Sequence, residues 1–205
     1  MIRERIRSEL SGPSLPLIAF AVALNLAVGQ IAVALKIPFY LDSLGTILTA
    51  ILIGPWAGML TGCTANILAA AIGNPSLMFF VPVTLVIGSF TAFVARRGGF
   101  RAWWSSGLAG IVQGVLAATV SAPISAFVFG GTMLAGTDAL VVFYRAMGHS
   151  LLQSVWYQGL SSDPIDKLVS YLVIYATIHR LPARIASRFP GMNWLVPQDR
   201  NIPHA

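Results

Sequence analysis

Three long stretches contain no Asp, Glu, Lys or Arg: residues 10–35, 43–95 and 102–137. A helix that crosses the hydrocarbon layer of a bilayer needs about 20 consecutive apolar residues, and each stretch meets that length. Soluble domains carry roughly 25% charged residues, whereas these 205 residues carry 10%, with 56% hydrophobic. The pattern excludes an ordinary soluble enzyme and predicts an all-α protein that crosses a membrane several times.

The few charges sit at the edges of the apolar runs. Lys and Arg total thirteen against seven Asp and Glu, a formal net charge of +6. Most of the excess falls in three clusters: Arg3, Arg5 and Arg7; Arg96, Arg97 and Arg101; Arg180, Arg184 and Arg188. Basic residues flanking membrane spans hold their loops in the cytoplasm. A nucleic-acid partner is not expected, because no continuous basic face with stacking aromatics accompanies them. The single Cys63 excludes an intramolecular disulfide and a multi-cysteine metal site. The first apolar run is longer than the roughly 7–15 residues of a signal-peptide core, so a retained first helix is expected.

Turn signals divide the chain into six predicted spans with both termini cytoplasmic. The first covers 14–35 and ends at Lys36-Ile37-Pro38, because proline cannot continue a helix. The second covers 44–53, and Gly54-Pro55 opens the third, 55–72, with proline suited to a first helical turn. Gly73-Asn74-Pro75 is a turn; the fourth span is 77–95 and the fifth 105–129, ending at Gly130-Gly131. Ser162-Asp163-Pro164, followed by Asp166, reads as the start of a sixth helix over 164–181. A single domain over 1–189 and a short cytoplasmic tail over 190–205 follow. In a rival topology, 44–72 forms one kinked span and 139–160 another, which exposes Arg96, Arg97 and Arg101 outside, against the positive-inside bias.

Membrane helices pack closely where small residues fall in register. Gly54, Gly58 and Gly62, and the series Gly110, Gly114, Ala118, Ala122 and Ala126, suit packing inside the bundle. Ala19, Ala23 and Ala27 on the first helix suit either that or a partner helix. Polar residues in the bilayer face the bundle or a cavity: Asn25, Gln30, Asn66, Gln113, Thr119, Ser121 and Ser125. Gln30, Ser121 and Ser125, nearer the outer end, are the pocket candidates, and Asn66 reads as structural.

The segment 138–157 reads as a helix in which Arg145, His149, Gln153 and Tyr157 recur every four residues on one face, bordered by Trp156. Such a helix lies at the outer interface either as a lid over a pocket or as a connector whose polar face meets water. Tyr40 and Asp42, between Pro38 and Gly45, either close over an organic molecule or form a loop anchored at the interface. Catalytic signatures are missing: there is no HExxH, GxSxG or GxxxxGK[ST]. His149 and Ser150 diverge on a helix, and Cys63 lacks activating charges nearby. No enzyme activity, metal or cofactor is expected.

With Ile37-Pro38-Phe39-Tyr40-Leu41-Asp42-Ser43-Leu44-Gly45-Thr46 after the first helix, and Gly54-Pro55-Trp56-Ala57-Gly58 followed by Gly62 and Asn66, the chain resembles the substrate-binding S component of energy-coupling factor (ECF) transporters. The similarity runs from about Leu15 to Leu181. It implies a multi-pass protein of a prokaryotic plasma membrane that binds a vitamin-like micronutrient on the outer side. Delivery inward would use a transmembrane T component and two ATP-binding-cassette ATPases. The resemblance also implies that Ala19-x-x-x-Ala23, extended by Ala27, docks the T component, small side chains permitting close helix approach and sliding. Family pockets draw on regions that here contain Gln30, Tyr40, Asp42, Arg145, His149, Gln153, Trp156 and Tyr157. The aromatics suit stacking on a planar ligand and Arg145 an anionic or carbonyl group. The alternatives are a membrane-embedded small-molecule sensor, for which the tail with Pro190, Pro197 and Pro203 leaves no output domain, and an intramembrane enzyme.

Overall fold

The computed structural model describes residues 2–12, 14–35, 39–131 and 137–195, without the side chains of Ile2 and Arg5. Lys36-Ile37-Pro38 and the tail prolines Pro197 and Pro203 lie outside the described residues. Within them the chain is entirely helical. The order is α1 (Ile2–Glu9), α2 (Ser14–Ala34), α3 (Leu44–Leu52), α4 (Pro55–Ile72), a 3-10 segment (Pro75–Phe80), α5 (Val81–Arg96), α6 (Trp103–Phe129), α7 (Asp138–Ala146), α8 (Leu151–His179), α9 (Ala183–Ala186) and α10 (Met192–Leu195). Among the described residues four helices are long and apolar enough to cross a membrane: α2, α4, α6, and α5 taken together with the 3-10 segment leading into it.

The nine-residue α3 is the centre of the bundle. From Gly45 to Leu52 every residue is buried, so the helix can be apolar on all sides. Its first turn is held by Asn25 of α2, whose Oδ1 accepts from the Gly45 N–H at 2.6 Å while its Nδ2 donates to Thr46 Oγ1 at 2.9 Å. Asn25 therefore satisfies a donor that a helix N-terminus leaves open. The backbones of α2 and α3 meet here: a Cβ on Gly45 would stand 2.0 Å from the Ala21 carbonyl oxygen. At the other end, Gly54 has φ 152°, a region side chains disfavour, and the chain reverses directly into Pro55 of α4. Glu9 closes that corner, accepting from Trp56 N–H at 2.9 Å and Ala57 N–H at 3.3 Å, a carboxylate at a helix N-terminus.

Both glycine series pack inside the bundle. A Cβ on Gly58 would meet Ala50 at 2.6 Å, and one on Gly62 would meet Thr84 at 2.7 Å. On α6, Gly110 lies against the Lys167 carbonyl and Gly114 against Pro164, with Cβ clearances of 2.7 and 2.3 Å. The α6–α8 contact is thus backbone against backbone, as small residues in register allow. On α2, by contrast, Ala19, Ala23 and Ala27 are exposed, beside Leu15, Phe20 and Ile31.

Two sequence expectations are overturned between α6 and the end of the chain. Residues 138–157 do not form one helix: α7 ends at Ala146, and Gly148 at φ 90° turns the chain before α8 starts at Leu151. Arg145, His149, Gln153 and Tyr157 therefore do not share a helical face. Nor does a helix start at Ser162-Asp163-Pro164, because α8 runs 29 residues with Pro164 inside it. The physical start lies at Ser150, whose Oγ accepts from Gln153 N–H at 3.3 Å while Gln153 Oε1 accepts from Ser150 N–H at 3.0 Å. This capping box satisfies both orphan donors, and the small Gly114 gives the interior proline room.

The two ends of the bundle differ in charge. At one end Arg96 stacks 5.1 Å over the Trp194 ring and lies 3.7 Å from Glu9. There too Arg101 Nε donates to the Trp194 carbonyl at 3.3 Å, and Gly191 N–H to the Leu52 carbonyl at 2.9 Å. The loop at residues 39–43, the 3-10 segment and the start of α7 form the opposite end, where Tyr40 OH pairs with Thr137 Oγ1 at 2.9 Å.

Candidate functional site

The opposite end contains two adjoining cavities that share Tyr40, Asp42, Asn66 and Leu77. The inner chamber, about 80 Å³, lies among the loop at 39–43, α3, α4, the 3-10 segment, α5, α6 and α8. The outer vestibule, about 550 Å³, lies between α2, α4 and the 3-10 segment, and its volume falls in the range of small-molecule sites.

The chamber's chemistry comes from the middle of α8. Asp163, Asp166 and Lys167 follow at i, i+3 and i+4, a spacing that places them on one helical face. All three are at least nine-tenths buried. Charged groups at membrane depth are costly and turn toward the protein interior, paired with one another. Here Lys167 Nζ stands 2.5 Å from Asp166 Oδ2, donates to Ser43 Oγ at 2.8 Å and lies 4.0 Å from Asp42 Oδ1. Asp166 Oδ1 accepts from Leu41 N–H at 2.9 Å, so this one residue ties α8 to the loop after α2. Asp163 accepts from Ser162 Oγ at 3.1 Å, and Ser162 Oγ also accepts from Gln158 Nε2 at 2.8 Å.

The loop residues respond to this burial. Desolvation pushes the Asp42 carboxyl above the usual carboxylate range; Lys167 opposes the shift and Asp166 adds to it. A third of the Asp42 side chain is accessible, and it lines both cavities. Burial and the charge of Asp163 push the Tyr40 phenol above its ordinary range, so Tyr40 presents a neutral hydroxyl.

Sequence-predicted residues divide into two groups. Tyr40 and Asp42 line both cavities, Gln30 lines the vestibule, and Ser121 and Ser125 line the chamber. Arg145, His149, Gln153, Trp156 and Tyr157 line neither. Arg145 donates to the His149 carbonyl at 3.4 Å, Gln153 caps α8, and His149 packs edge-on to Tyr157 at 5.0 Å. Tyr144, 5.6 Å from Tyr157, completes an aromatic cluster that braces the turn between α7 and α8. The residues missed from sequence are Asp163, Asp166, Lys167 and Asn66. The available signal was three charges inside an otherwise apolar helix, read instead as a helix start. Cys63 lies 3.6 Å from Thr84 Oγ1, a packed thiol. No protein-family model, curated protein or solved structure matches the chain.

Proposed function

We propose that the chain is the substrate-binding S subunit of an ECF-type importer, taking up a vitamin-like micronutrient at the outer face of a prokaryotic plasma membrane. In this reading α2, α3, α4, α5, α6 and α8 are the six membrane-embedded helices, the nine-residue α3 crossing only part of the layer. The end carrying Arg96 and Arg101 is cytoplasmic, by the positive-inside bias, and the chamber opens outward. The observation that carries the proposal is the chamber itself: polar and charged groups from six elements converge at the end of the bundle opposite the basic clusters. A purely structural bundle has no use for so costly an arrangement.

The exposed Ala19, Ala23 and Ala27 supply the second requirement, a smooth strip on α2 where a T component can approach closely. ATP hydrolysis belongs to two ATP-binding-cassette partners, and the chain itself binds and carries. The site proposed for the solute comprises Tyr40, Asp42 and the α8 charges, with Gln30 at its rim.

The test is co-purification from the native membrane. Wild type captures a T component and two ATPases, whereas Ala19→Leu combined with Ala23→Leu loses that capture while remaining folded. Capture that survives both substitutions removes α2 as the docking strip; wild type that captures no ATPase overturns the importer reading.

A further inference from the structure

The chamber does not balance its charges. Its charged lining consists of Asp42, Asp163, Asp166 and Lys167, a formal sum of −2 when all four are ionised. The ammonium is already committed, with Asp166 at 2.5 Å and Ser43 at 2.8 Å, and Asp166 spends its other oxygen on Leu41 N–H. That pair is self-sufficient. Among the described residues Asp163 is hydrogen-bonded only to the Ser162 hydroxyl, with Lys167 acting on it through its charge, and Asp42 stands 4.0 Å from an ammonium already held by its neighbour. A buried carboxylate in the condition of Asp163 needs a cation or a proton, and Asp42, a third accessible, stands at the same cavity.

An independent observation points to a ligand. Asn66, 8% exposed, lines both cavities, and its side-chain amide has no hydrogen-bond partner among the described residues. The unpaired amide borders open cavity space, so Asn66 offers a donor and an acceptor to whatever occupies it. The remaining walls include Phe80, Val83 and Ile87, with Phe129 in the vestibule stacked 6.0 Å from Phe80. Apolar and aromatic walls suit a ring, and aromatic faces attract cations. Among the described residues no three His, Cys, Asp or Glu gather closely enough to hold a metal ion.

We infer that chamber and vestibule together select an organic cation: a positively charged nitrogen enters the chamber between Asp42 and Asp163, a flat, largely apolar body occupies the larger vestibule, and a hydrogen-bonding edge meets Asn66 where the two cavities join. This rests on the chamber being the solute site of the proposed importer, and it runs opposite to the anionic group that Arg145 suggests from sequence alone.

A charge series on one ring tests it. Thermal unfolding of the purified full chain in detergent is followed with 1-methylnicotinamide (cation), nicotinamide (neutral) and nicotinate (anion) at equal millimolar concentrations. The cation is expected to raise the unfolding temperature while the neutral and anionic probes leave it unchanged. Asp163→Asn is expected to weaken the apparent affinity for the cation at least tenfold; Asp42→Asn, on a loop rather than in α8, gives the same direction if the first variant does not fold. A shift with nicotinate or nicotinamide equal to or larger than that with the cation overturns the inference. So does no shift with the cation, or a shift that both Asn variants leave intact. Cation binding without capture of ATPases would overturn the importer reading alone, and capture combined with a preference for nicotinate would overturn the cation alone.

Discussion

Helix α2 has no charged residue in 21 positions and leaves Ala19, Ala23 and Ala27 on its outer face, whereas α8 carries Asp163, Asp166 and Lys167 in mid-helix and buries all three. Both are long enough to cross a bilayer, α8 at about 43 Å for its length. Their difference lies in where polarity is directed. On α2 the inward face is Ile18, Ala21, Val22 and the amide of Asn25, which secures α3, and the opposite face is exposed; on α8 the three charges face a cavity and the apolar residues Ile165, Val169 and Val173 face outward. A long helix can therefore serve as contact surface or as the wall of a cavity, and the position of its few polar residues relative to neighbours decides which.

The comparison predicts that α8 is intolerant and α2 tolerant. The largest effect is expected from Lys167→Met, which leaves the Asp166 carboxyl, 1% exposed, without its ammonium. Breaking one partner of a buried pair costs about 3–5 kcal/mol, read as a large drop in unfolding temperature. Adding Asp166→Asn to that variant should restore most of the loss, and a double variant no better than the single one would break the ion-pair account. Next, Gly114→Leu forces side-chain atoms into Pro164 and should cost at least the ~1–3 kcal/mol of an overpacked core. Ala23→Leu on the exposed face of α2 should stay within about 0.5 kcal/mol. Equal costs for these two would erase the contrast between the helices.

Two smaller effects sharpen the same comparison. Ser150→Ala removes half of the capping box that starts α8 and should cost about 1 kcal/mol, measured as a fall in unfolding temperature with faster amide exchange over the first turn. The smallest effect concerns pH. The Asp42 carboxyl is raised in the folded protein, so its contribution to stability is fully present below the ordinary value of about 3.9 and is lost as pH rises through the raised value. Unfolding temperature should therefore decline over that window in wild type, and the decline should be shallower in Asp42→Asn. Identical slopes would show that Asp42 is not the group responding. Because a third of its side chain is accessible, the difference is small.

Helices 14–34, 55–72, 81–96 and 103–129 are legible in the sequence within a few residues, because each is an uninterrupted apolar run punctuated by Gly-Pro, Gly-Asn-Pro or a basic cluster. The packing of Gly110 and Gly114 is legible too, since small residues at four-residue spacing have one common use. The start of α8 is misread because two start signatures stand twelve residues apart, Ser150 with Gln153 and Ser162 with Pro164, and local pattern does not rank them. What ranks them is Gly114 on another helix, which lets Pro164 sit inside α8. The site is half legible for a similar reason. Tyr40 and Asp42 stand out as polar residues between turn signals, but Lys167 acquires meaning only beside Ser43, 124 positions earlier.

Taken alone, the sequence determined that this chain is helical, that it suits a membrane and which loops carry positive charge, because transfer of a segment into hydrocarbon is a sum over contiguous residues. Only the tertiary structure decided that Asp163, Asp166 and Lys167 wall a chamber rather than open a helix, and that Arg145 to Tyr157 stand apart from it. The energy of a buried charge depends on which group arrives opposite it, and that group comes from a distant part of the chain.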